Sequence, residues 1–274
     1  MTPLLKDVLE ILDETAPFSS AEEWDNPGLQ VGFLSDEIRK ALISLDPTID
    51  ALERAGEINA GLLLTHHPLI FSRLMNIDPS TYPGDVISEA LKSRVSIVSV
   101  HTNLDRARGG INDILARMIG LQDIEALVKI DGSSDALDGL GRIGHLPKSM
   151  SLTSVARVIM DSIGSTGLMV MGPPDREIKK IAVLGGSGGS EVSHASERGA
   201  DLYITGDIRH HEALMAQTLG LALIDAGHFS MERAAMHFFA DHLRDRFKDL
   251  GWDIVIEIFK DEEAPMRYLS REEI

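Results

Sequence analysis

Histidine and carboxylate side chains follow three apolar stretches of this chain. The stretch Leu62–Leu64 precedes the first group, and similar stretches precede the other two. The side chains are those of His66, His67, His101, Asp105, His228 and Glu232. Because the chain contains no cysteine, a side chain that binds a metal ion must here be a histidine or an acidic residue. The residue types therefore predict a metal site assembled from three parts of the sequence.

Five of these side chains suit a pair of divalent ions. A carboxylate is able to bridge two ions, whereas an imidazole nitrogen binds one. Asp105 and Glu232 are therefore the candidate bridges, and the candidate terminal ligands are His66, His67 and His228. A water molecule held by such ions loses a proton near neutral pH and becomes the nucleophile of a hydrolase. The remaining histidine, His101, is predicted to be catalytic, either by orienting a ligand or as a general base.

Four further polar residues are candidate contacts for a substrate. They are Asn26, Gln30, Asp207 and His210. Asn26 and Gln30 lie in a turn-rich stretch, and the alternative is that this stretch is only a turn anchored by Trp24. The alternative for His210 is a solvent-exposed helix start.

A glycine-rich segment, Gly185–Gly189, lies between a predicted strand and a predicted helix. Its backbone amides suit a phosphate bound at the N-terminus of the helix. It lacks the residues of a nucleotide-binding P-loop, and a flexible connection is the alternative interpretation.

Strands and helices alternate around these side chains. In the first half, apolar strands over 41–45, 62–64 and 95–100 are separated by helices over 48–60 and 85–94. This order is typical of a largely parallel sheet with helices outside. Because ligands of α/β proteins bind at the carboxyl ends of the strands, the histidines that follow residues 64 and 100 are expected to meet there.

The second half of the chain repeats the pattern of the first. Strands over 181–184 and 200–205 are followed by a helix and a third strand that leads to His228. We interpret this as an internal repeat, and the alternative is chance similarity between two ordinary α/β units. The predicted fold is α/β, with two similar lobes over 1–128 and 129–274. Each lobe is expected to hold a mostly parallel sheet flanked by helices, with a dinuclear metal site between the lobes.

Composition limits the classes of protein and partner. The chain has 274 residues, of which 43% are apolar and 25% charged, as in ordinary globular proteins. The formal net charge of −17 argues against nucleic acid as a partner, because its phosphates would be repelled. No apolar run is long enough to cross a membrane, and the first residues lack the pattern of a signal peptide. A cytoplasmic location without membrane contact is therefore expected.

The ordered motifs along the chain resemble those of one protein family. The motifs are Trp24–Gly32, Thr65–Leu69, His101–Asp105, Thr205–Asp207 and Gly227–Glu232. Together they resemble the NGG-interacting-factor-three-like family, whose members are often named GTP cyclohydrolase 1 type 2 homologues. The resemblance implies a two-lobed subunit with a dinuclear metal site, in a toroidal homohexamer with its sites facing the interior. It places the metal ligands on the same five residues, and it implies the short form without an inserted domain.

The resemblance also implies an activity, the hydrolytic opening of the imidazole ring of a purine nucleotide. A small-molecule substrate, such as a nucleotide, is therefore expected. Two alternatives stay open: a metal-dependent phosphoesterase, and a non-enzymatic metal-bearing ring that acts as a scaffold or regulator. With histidine and carboxylate ligands, the identity of the two divalent ions is open among zinc, iron, manganese, nickel and cobalt.

Overall fold

The computed structural model describes residues 1–130 and 132–266, and within them the chain forms two β-sheets with helices against both faces. The strands are β1 (Gly28–Val31), β2 (Lys40–Ser44), β3 (Leu62–Thr65), β4 (Ser96–Ser99), β5 (Gln122–Lys129), β6 (Gly139–Ser151), β7 (Met169–Met171), β8 (Glu177–Ser187), β9 (Leu202–Gly206), β10 (Ala222–Asp225) and β11 (Val255–Ile258). The α-helices are α1 (Leu5–Thr15), α2 (Ile49–Glu57), α3 (Gly84–Ser93), α4 (Thr102–Arg106), α5 (Ile111–Met118), α6 (Leu152–Ile163), α7 (Val192–Glu197), α8 (His210–Thr218) and α9 (His228–Asp249).

The two sheets differ in how parallel they are. The first has the order β1-β4-β3-β2-β11, and only the pairing of β1 with β4 is antiparallel. The second has the order β5-β6-β8-β9-β10-β7, and three of its five pairings are antiparallel. The prediction of mostly parallel sheets is therefore right for the first sheet and wrong for the second. The short connection from β5 to β6 has no crossover helix, so these strands pair antiparallel.

Both sheets contain the repeated unit that the sequence indicates. The units are β2-α2-β3-α3-β4 and β8-α7-β9-α8-β10, and in each the three strands are parallel neighbours. Thr65 at the end of β3 is opposite Ser99 at the end of β4, and Thr205 on β9 is opposite Asp225 at the end of β10. The strand ends are therefore level, and the residues that follow them emerge side by side.

The sheets do not divide the chain after residue 128. Strand β5 contains that position and pairs with β6 in the second sheet. Strand β11, near the end of the chain, pairs with β2 in the first sheet. The chain thus leaves the first sheet before β5 and returns to it after α9. Backbone hydrogen bonds join β5 to β6 and β11 to β2.

The main hydrophobic core lies between the two sheets. Alternate residues of the strands point to opposite faces, so Leu62 and Leu64 join this core while Leu63 packs against helices on the outer face. Helices α1, α5, α6 and α9 contribute to the core between the sheets, α2 and α3 cover the outer face of the first sheet, and α7 and α8 cover that of the second. None of the helices in the described ranges has the length and apolar content required to span a membrane.

Candidate metal centre

The histidine pair that follows β3 is hydrogen-bonded to the backbone just after β2. The backbone amides of His66 and His67 both donate to the carbonyl oxygen of Leu45, at 3.1 and 3.0 Å. The hydroxyl of Thr65, the last residue of β3, donates to the carbonyl oxygen of His67 at 2.7 Å. His66 is completely buried, whereas the side chain of His67 is 23% exposed. The two adjacent imidazoles are therefore fixed by backbone contacts at the edge of the sheet.

Helices carry the other three predicted ligands. Asp105 lies in the short helix α4, which begins just after His101. Helix α9 begins at His228, directly after Gly227, whose φ is +81°. His228 and Glu232 are four residues apart on α9 and therefore lie on the same face. The turn at Gly227 starts the helix, so His228 lies in its first turn.

The five side chains converge in two groups that share one carboxylate. In the first, Nε2 of His66 is 3.7 Å from Oδ1 of Asp105 and 3.6 Å from Oε1 of Glu232. In the second, Oε2 of Glu232 is 3.2 Å from Nε2 of His67 and 2.8 Å from Nε2 of His228. Each group satisfies the spacing of residues able to hold one ion. Of the two predicted bridges, Glu232 belongs to both groups, whereas Asp105 belongs to one.

The donor atoms fit a metal ion in spacing and in chemistry. Ligands about 2.1 Å from an ion in tetrahedral geometry are about 3.4 Å from one another, close to the separations above. Nε2 of His66 and Oδ1 of Asp105 are buried and have no hydrogen-bond partner. Unpartnered buried polar atoms are costly, and a bound cation would satisfy both.

The histidines are oriented through their other ring nitrogen. In each of four rings Nδ1 lies 2.7 or 2.8 Å from an oxygen: His66 with the Val100 carbonyl, His67 with Asp46, His101 with Asp25, and His228 with Asp207. Because these oxygens only accept, each Nδ1 donates, and Nε2 is the ring atom left to bind a proton or a metal ion. This is how proteins prepare histidine to bind metal.

Ionisation of the second group reflects the shared carboxylate. Burial lowers the pKa of His67, but hydrogen bonds to Asp46 and Glu232 outweigh it and raise the pKa to about 10. Burial likewise lowers the pKa of His228, and its contacts with Glu232 and Asp207 raise it to about 9. Burial raises the pKa of Glu232, but the neighbouring histidines hold it well below its usual range. Without a metal ion, protons therefore take the place of the cation.

Metal binding is expected to release protons and to strengthen as pH rises. At pH 7 the metal-free protein holds protons on His67 and His228, whose pKa values are about 10 and 9, and an ion must displace them. Affinity should therefore increase from pH 7 to pH 9 and become constant above about 10. Calorimetric titrations in buffers of different ionisation enthalpy measure the released protons. An affinity that is unchanged or lower at pH 9 would contradict this assignment.

His101 lies beside these two groups and forms a third group with His66 and His67, which also satisfies the spacing of residues able to hold an ion. Its ring centroid is 5.2 Å from that of His66 and 5.5 Å from that of His67. Burial raises the pKa of its partner Asp25, but hydrogen bonds from His101 and Thr102 outweigh it and lower the pKa to about 2. Asp25 is therefore a carboxylate at neutral pH and holds the His101 imidazole in one orientation. The catalytic role of His101 stays a prediction.

Asn26 and Gln30 form hydrogen bonds within the protein. The amide of Asn26 donates to the carbonyl oxygen of Ile70 at 2.7 Å. The amide oxygen of Gln30 accepts from the backbone N–H of Ile70 at 3.1 Å, and its nitrogen donates to the carbonyl oxygen of Asn26 at 2.7 Å. Both side chains thus tie the turn after Trp24 to the segment that follows the histidine pair. Trp24 itself is exposed, so it does not anchor the turn by burial.

The two later candidates for substrate contact differ from each other. Asp207 orients His228, as described above, and its side chain is 50% exposed. His210 is exposed at the first turn of α8 and stacks edge-on against His211, with ring centroids 5.5 Å apart. Among the described residues, His210 is not in either ligand group. Its surroundings match the alternative of an exposed helix start.

The glycine-rich segment packs directly against the metal centre. A Cβ atom at Gly186, whose φ is +70°, would lie 2.3 Å from Oε1 of Glu232. A Cβ at Gly189 would lie 1.9 Å from a carboxylate oxygen of Glu212, so an anion there would meet a negative charge. Asn112 fixes the segment by accepting from the amide of Gly185 at 2.9 Å. The segment thus packs against Glu232 and Glu212, and the charge of Glu212 disfavours a phosphate beside Gly189.

Two acidic residues that hold the candidate site together, Asp46 and Glu262, were not among those predicted from the sequence. Asp46 follows β2 at the same sheet edge as the histidine pair, so the rule that selected His66 and His101 would also have selected it. Glu262 gave no sequence signal. Its carboxylate accepts from the backbone N–H groups of Leu45 and Asp46 at 2.8 Å, across more than two hundred residues of chain.

Replacing Asp46 is expected to weaken one of the two ion sites. Asp46→Ala frees the ring of His67, and loss of such an orienting carboxylate typically lowers metal affinity by about 10- to 100-fold. The effect should fall on the group of His67, His228 and Glu232, and the other group should keep its ion. Asp36→Ala is a matched control, because Asp36 pairs with Arg94 at the surface. Titration of metal into the metal-free variants, with the bound ions counted, makes the comparison; equal affinities would refute the role of Asp46.

The two-sheet fold and the imidazole–carboxylate cluster at its strand ends define an α/β protein with a candidate metal centre. The chain belongs to the Duf34/NIF3 (NGG1p interacting factor 3) family, whose model matches residues 3–265. The resemblance drawn from the sequence motifs is thereby confirmed.

Relatives match along almost the whole chain. A Clostridium perfringens protein named GTP cyclohydrolase 1 type 2 homolog is 33% identical over 97% of this chain and 99% of its own length. A Helicobacter pylori protein named GTP cyclohydrolase 1 type 2 is 34% identical over 94% of this chain and 97% of its own. Among solved structures, Staphylococcus aureus protein SA1388 is similar with a TM-score of 0.90 and 28% identity, over 97% of this chain and 99% of that one.

Proposed function

We propose that this chain is a hydrolase that uses two divalent metal ions. One ion would be held by His66, Asp105 and Glu232, and the other by His67, His228 and Glu232. The observation that carries this proposal is the contact between Nε2 of His67 and Nε2 of His228, which lie 3.2 Å apart. Since the Nδ1 atoms of both rings face carboxylates, the two Nε2 atoms point at each other and at Glu232, an arrangement that a metal ion would stabilise in place of the protons.

The chain's own residues would handle the proton. Two bound divalent ions supply a polarised substrate and a water molecule of lowered pKa. His101, whose Nδ1 donates to Asp25 at 2.8 Å, presents its Nε2 as a proton acceptor beside the ligand groups. Asp25, ionised at neutral pH, would stabilise the imidazolium after His101 takes the proton. We therefore propose His101 as the general base and Asp25 as the residue that positions it.

We propose GTP as the substrate, with hydrolytic opening of the imidazole ring of its purine. Support comes from the relatives named GTP cyclohydrolase 1 type 2 and its homolog, which match this chain over nearly their full lengths. Paired metal ions also suit cleavage of phosphoesters. A metal-dependent phosphoesterase is therefore the competing activity that the experiment must separate.

Metal content on freshly purified protein is the first measurement. Turnover of GTP and of a generic phosphodiester then follows, with zinc, iron, manganese, nickel or cobalt restored one at a time. Two ions per chain and release of formate from GTP would support the proposal. Cleavage of the phosphodiester alone would establish the phosphoesterase instead, and bound ions without turnover of either would favour a scaffold. Absence of bound metal under every loading condition would refute it.

We also propose that six copies of the chain assemble into a ring. The loop between β3 and α3 exposes apolar side chains to water: Met75 is 97% exposed, Ile77 56% and Leu74 37%. Exposed apolar groups of this kind are typical of protein interfaces. Sedimentation is expected to give a mass six times the 29.9 kDa of one chain. Met75→Glu should shift the protein toward smaller species, and a monomer at micromolar concentration would contradict the proposal.

A further inference from the structure

Two large aromatic side chains lie exposed at the candidate metal centre. Trp24 is 57% exposed and Phe71 is 55% exposed. Their ring centroids are 5.5 Å apart, with the ring planes tilted by 40°. Leaving two adjacent aromatic side chains in water forgoes the free energy of burying them. Such a pair next to a functional site is typical of a surface that binds something.

The aromatic pair (Trp24 and Phe71) adjoins the ligand groups at His101. The ring of His101 is 5.9 Å from that of Trp24 and 6.2 Å from that of Phe71, edge-on in both cases. The other side of His101 faces His66 and His67, with centroids 5.2 and 5.5 Å away. A molecule lying on the aromatic pair would therefore have its edge at His101 and the metal ligands.

The aromatic pair is held in place before any ligand arrives. Asn26 and Gln30 bind both backbone groups of Ile70, the residue before Phe71. Asp25, the residue after Trp24, accepts from the backbone N–H of Thr102 at 3.1 Å and from the ring of His101. Both segments are thus fixed to the sheet edge, and little conformational freedom is lost when a ligand binds.

We propose that the aromatic pair is the subsite for a planar heteroaromatic ring of the substrate. This rests on the proposed function, because hydrolytic attack on a ring carbon requires that this carbon be held beside the metal centre. The flat faces of Trp24 and Phe71 are able to stack on such a ring. Stacking depends on shape and tolerates different rings. The metal centre would then select the bond, and the aromatic pair would select the ring.

Tryptophan fluorescence makes the subsite directly observable. The chain has two tryptophans, Trp24 and Trp252. Trp252 packs against Phe247 with ring centroids 5.4 Å apart and joins the edge of the main core, so Trp252→Phe leaves Trp24 as the single reporter. Metal-loaded Trp252→Phe protein is titrated with guanosine, with a pterin and with ribose 5-phosphate. Saturable quenching by guanosine or the pterin, and none by ribose 5-phosphate, is expected.

Variants of the aromatic pair supply the second readout. Trp24→Ala and Phe71→Ala should each weaken binding of guanosine or the pterin, whichever quenches Trp24, by about 10- to 100-fold. Equilibrium dialysis measures this affinity. Bound metal should stay at the wild-type level in both. Trp24→Phe keeps an aromatic face and should retain most of the affinity, which separates stacking from a general disturbance of the neighbouring Asp25.

Three results would overturn the subsite. The first is the absence of quenching by both rings in metal-loaded protein. The second is unchanged ring affinity in Trp24→Ala. The third is Trp24 fluorescence shielded from acrylamide in the assembled protein without ligand, which would show that a second copy of the chain covers this face. Ring binding and metal content are measured without turnover, so these measurements test the subsite even if the chain is not a hydrolase. Conversely, a failed subsite does not contradict the hydrolase proposal.

Discussion

Glu232→Gln is expected to abolish binding of both metal ions while leaving the chain folded. Glu232 is 3% exposed, and its two oxygens serve the two ligand groups separately, Oε1 toward His66 and Oε2 toward His67 and His228. The amide that replaces it has the same size, so the packing of α9 is kept. The Gln amide carries no charge, and its NH2 group points hydrogens at the position that a metal ion would occupy. It therefore cannot bind two ions as the carboxylate would.

The loss of affinity at both sites should be at least about 100-fold, since removal of merely an orienting group already costs about 10- to 100-fold. Metal analysis after dialysis measures the loss of bound ions, and far-UV circular dichroism measures whether the chain stays folded. Glu57→Gln is the matched control, because Glu57 forms an exposed ion pair with Arg54 at 3.0 Å. Two ions per chain in Glu232→Gln would show that the shared carboxylate is not the centre of the site.

Gly186→Ala is expected to push the carboxylate of Glu232 out of position, although all five candidate metal ligands keep their residue types. The added Cβ would lie 2.3 Å from Oε1 of Glu232 and 3.7 Å from Nε2 of His228. Glu232 is buried, so its carboxylate has little space into which to move. The substitution should therefore lower metal content sharply, and with it any metal-dependent hydrolysis.

Gly199→Ala isolates the contribution of the backbone. Gly186 and Gly199 both have a φ of +70°, but a Cβ at Gly199 would meet nothing within 4 Å. Gly199→Ala should lose about 1–2 kcal/mol of unfolding free energy, the usual cost of an L side chain in the left-handed region, and Gly186→Ala should lose more because of its overlap with Glu232. Only Gly186→Ala should lose metal as well. Denaturant unfolding of the metal-free proteins and metal analysis test the two effects, and full metal content in Gly186→Ala would show that Glu232 is free to move aside.

The sequence by itself determined the repeated strand–helix units and the ligand candidates. Apolar runs of strand length that end at polar residues report local geometry, because a buried strand must stop where side chains need solvent or a ligand. The runs before His66, His101 and His228 carried this signal, and the structure brings all three histidines to one place. Residue type then fixed the chemistry, since imidazoles and carboxylates without cysteine suit divalent ions.

Only the tertiary structure decided which contacts those residues make. Asn26 and Gln30 looked like ligand-binding residues, but their polar groups bind the backbone of Ile70, a partner forty or more residues away in the chain. Remoteness in sequence likewise hid Glu262, whose carboxylate accepts from backbone N–H groups just after β2, and the packing of Gly186 against Glu232. Side-chain hydrogen bonds between remote segments leave no periodic trace in a sequence, because each depends on how whole strands and helices are placed.

Strand pairing followed the same division. Local pattern predicted that β8, β9 and β10 exist, and the crossover helices made them parallel. No local pattern predicted that β5 would pair with β6, or that β11, near the end of the chain, would pair with β2. A strand carries its own hydrophobic period but not the identity of its neighbour, which is chosen by the free energy of packing the complete core. The sequence thus supplied the candidate ligands and the units that carry them, and the packed fold decided their orientation, their shared carboxylate and their aromatic neighbours.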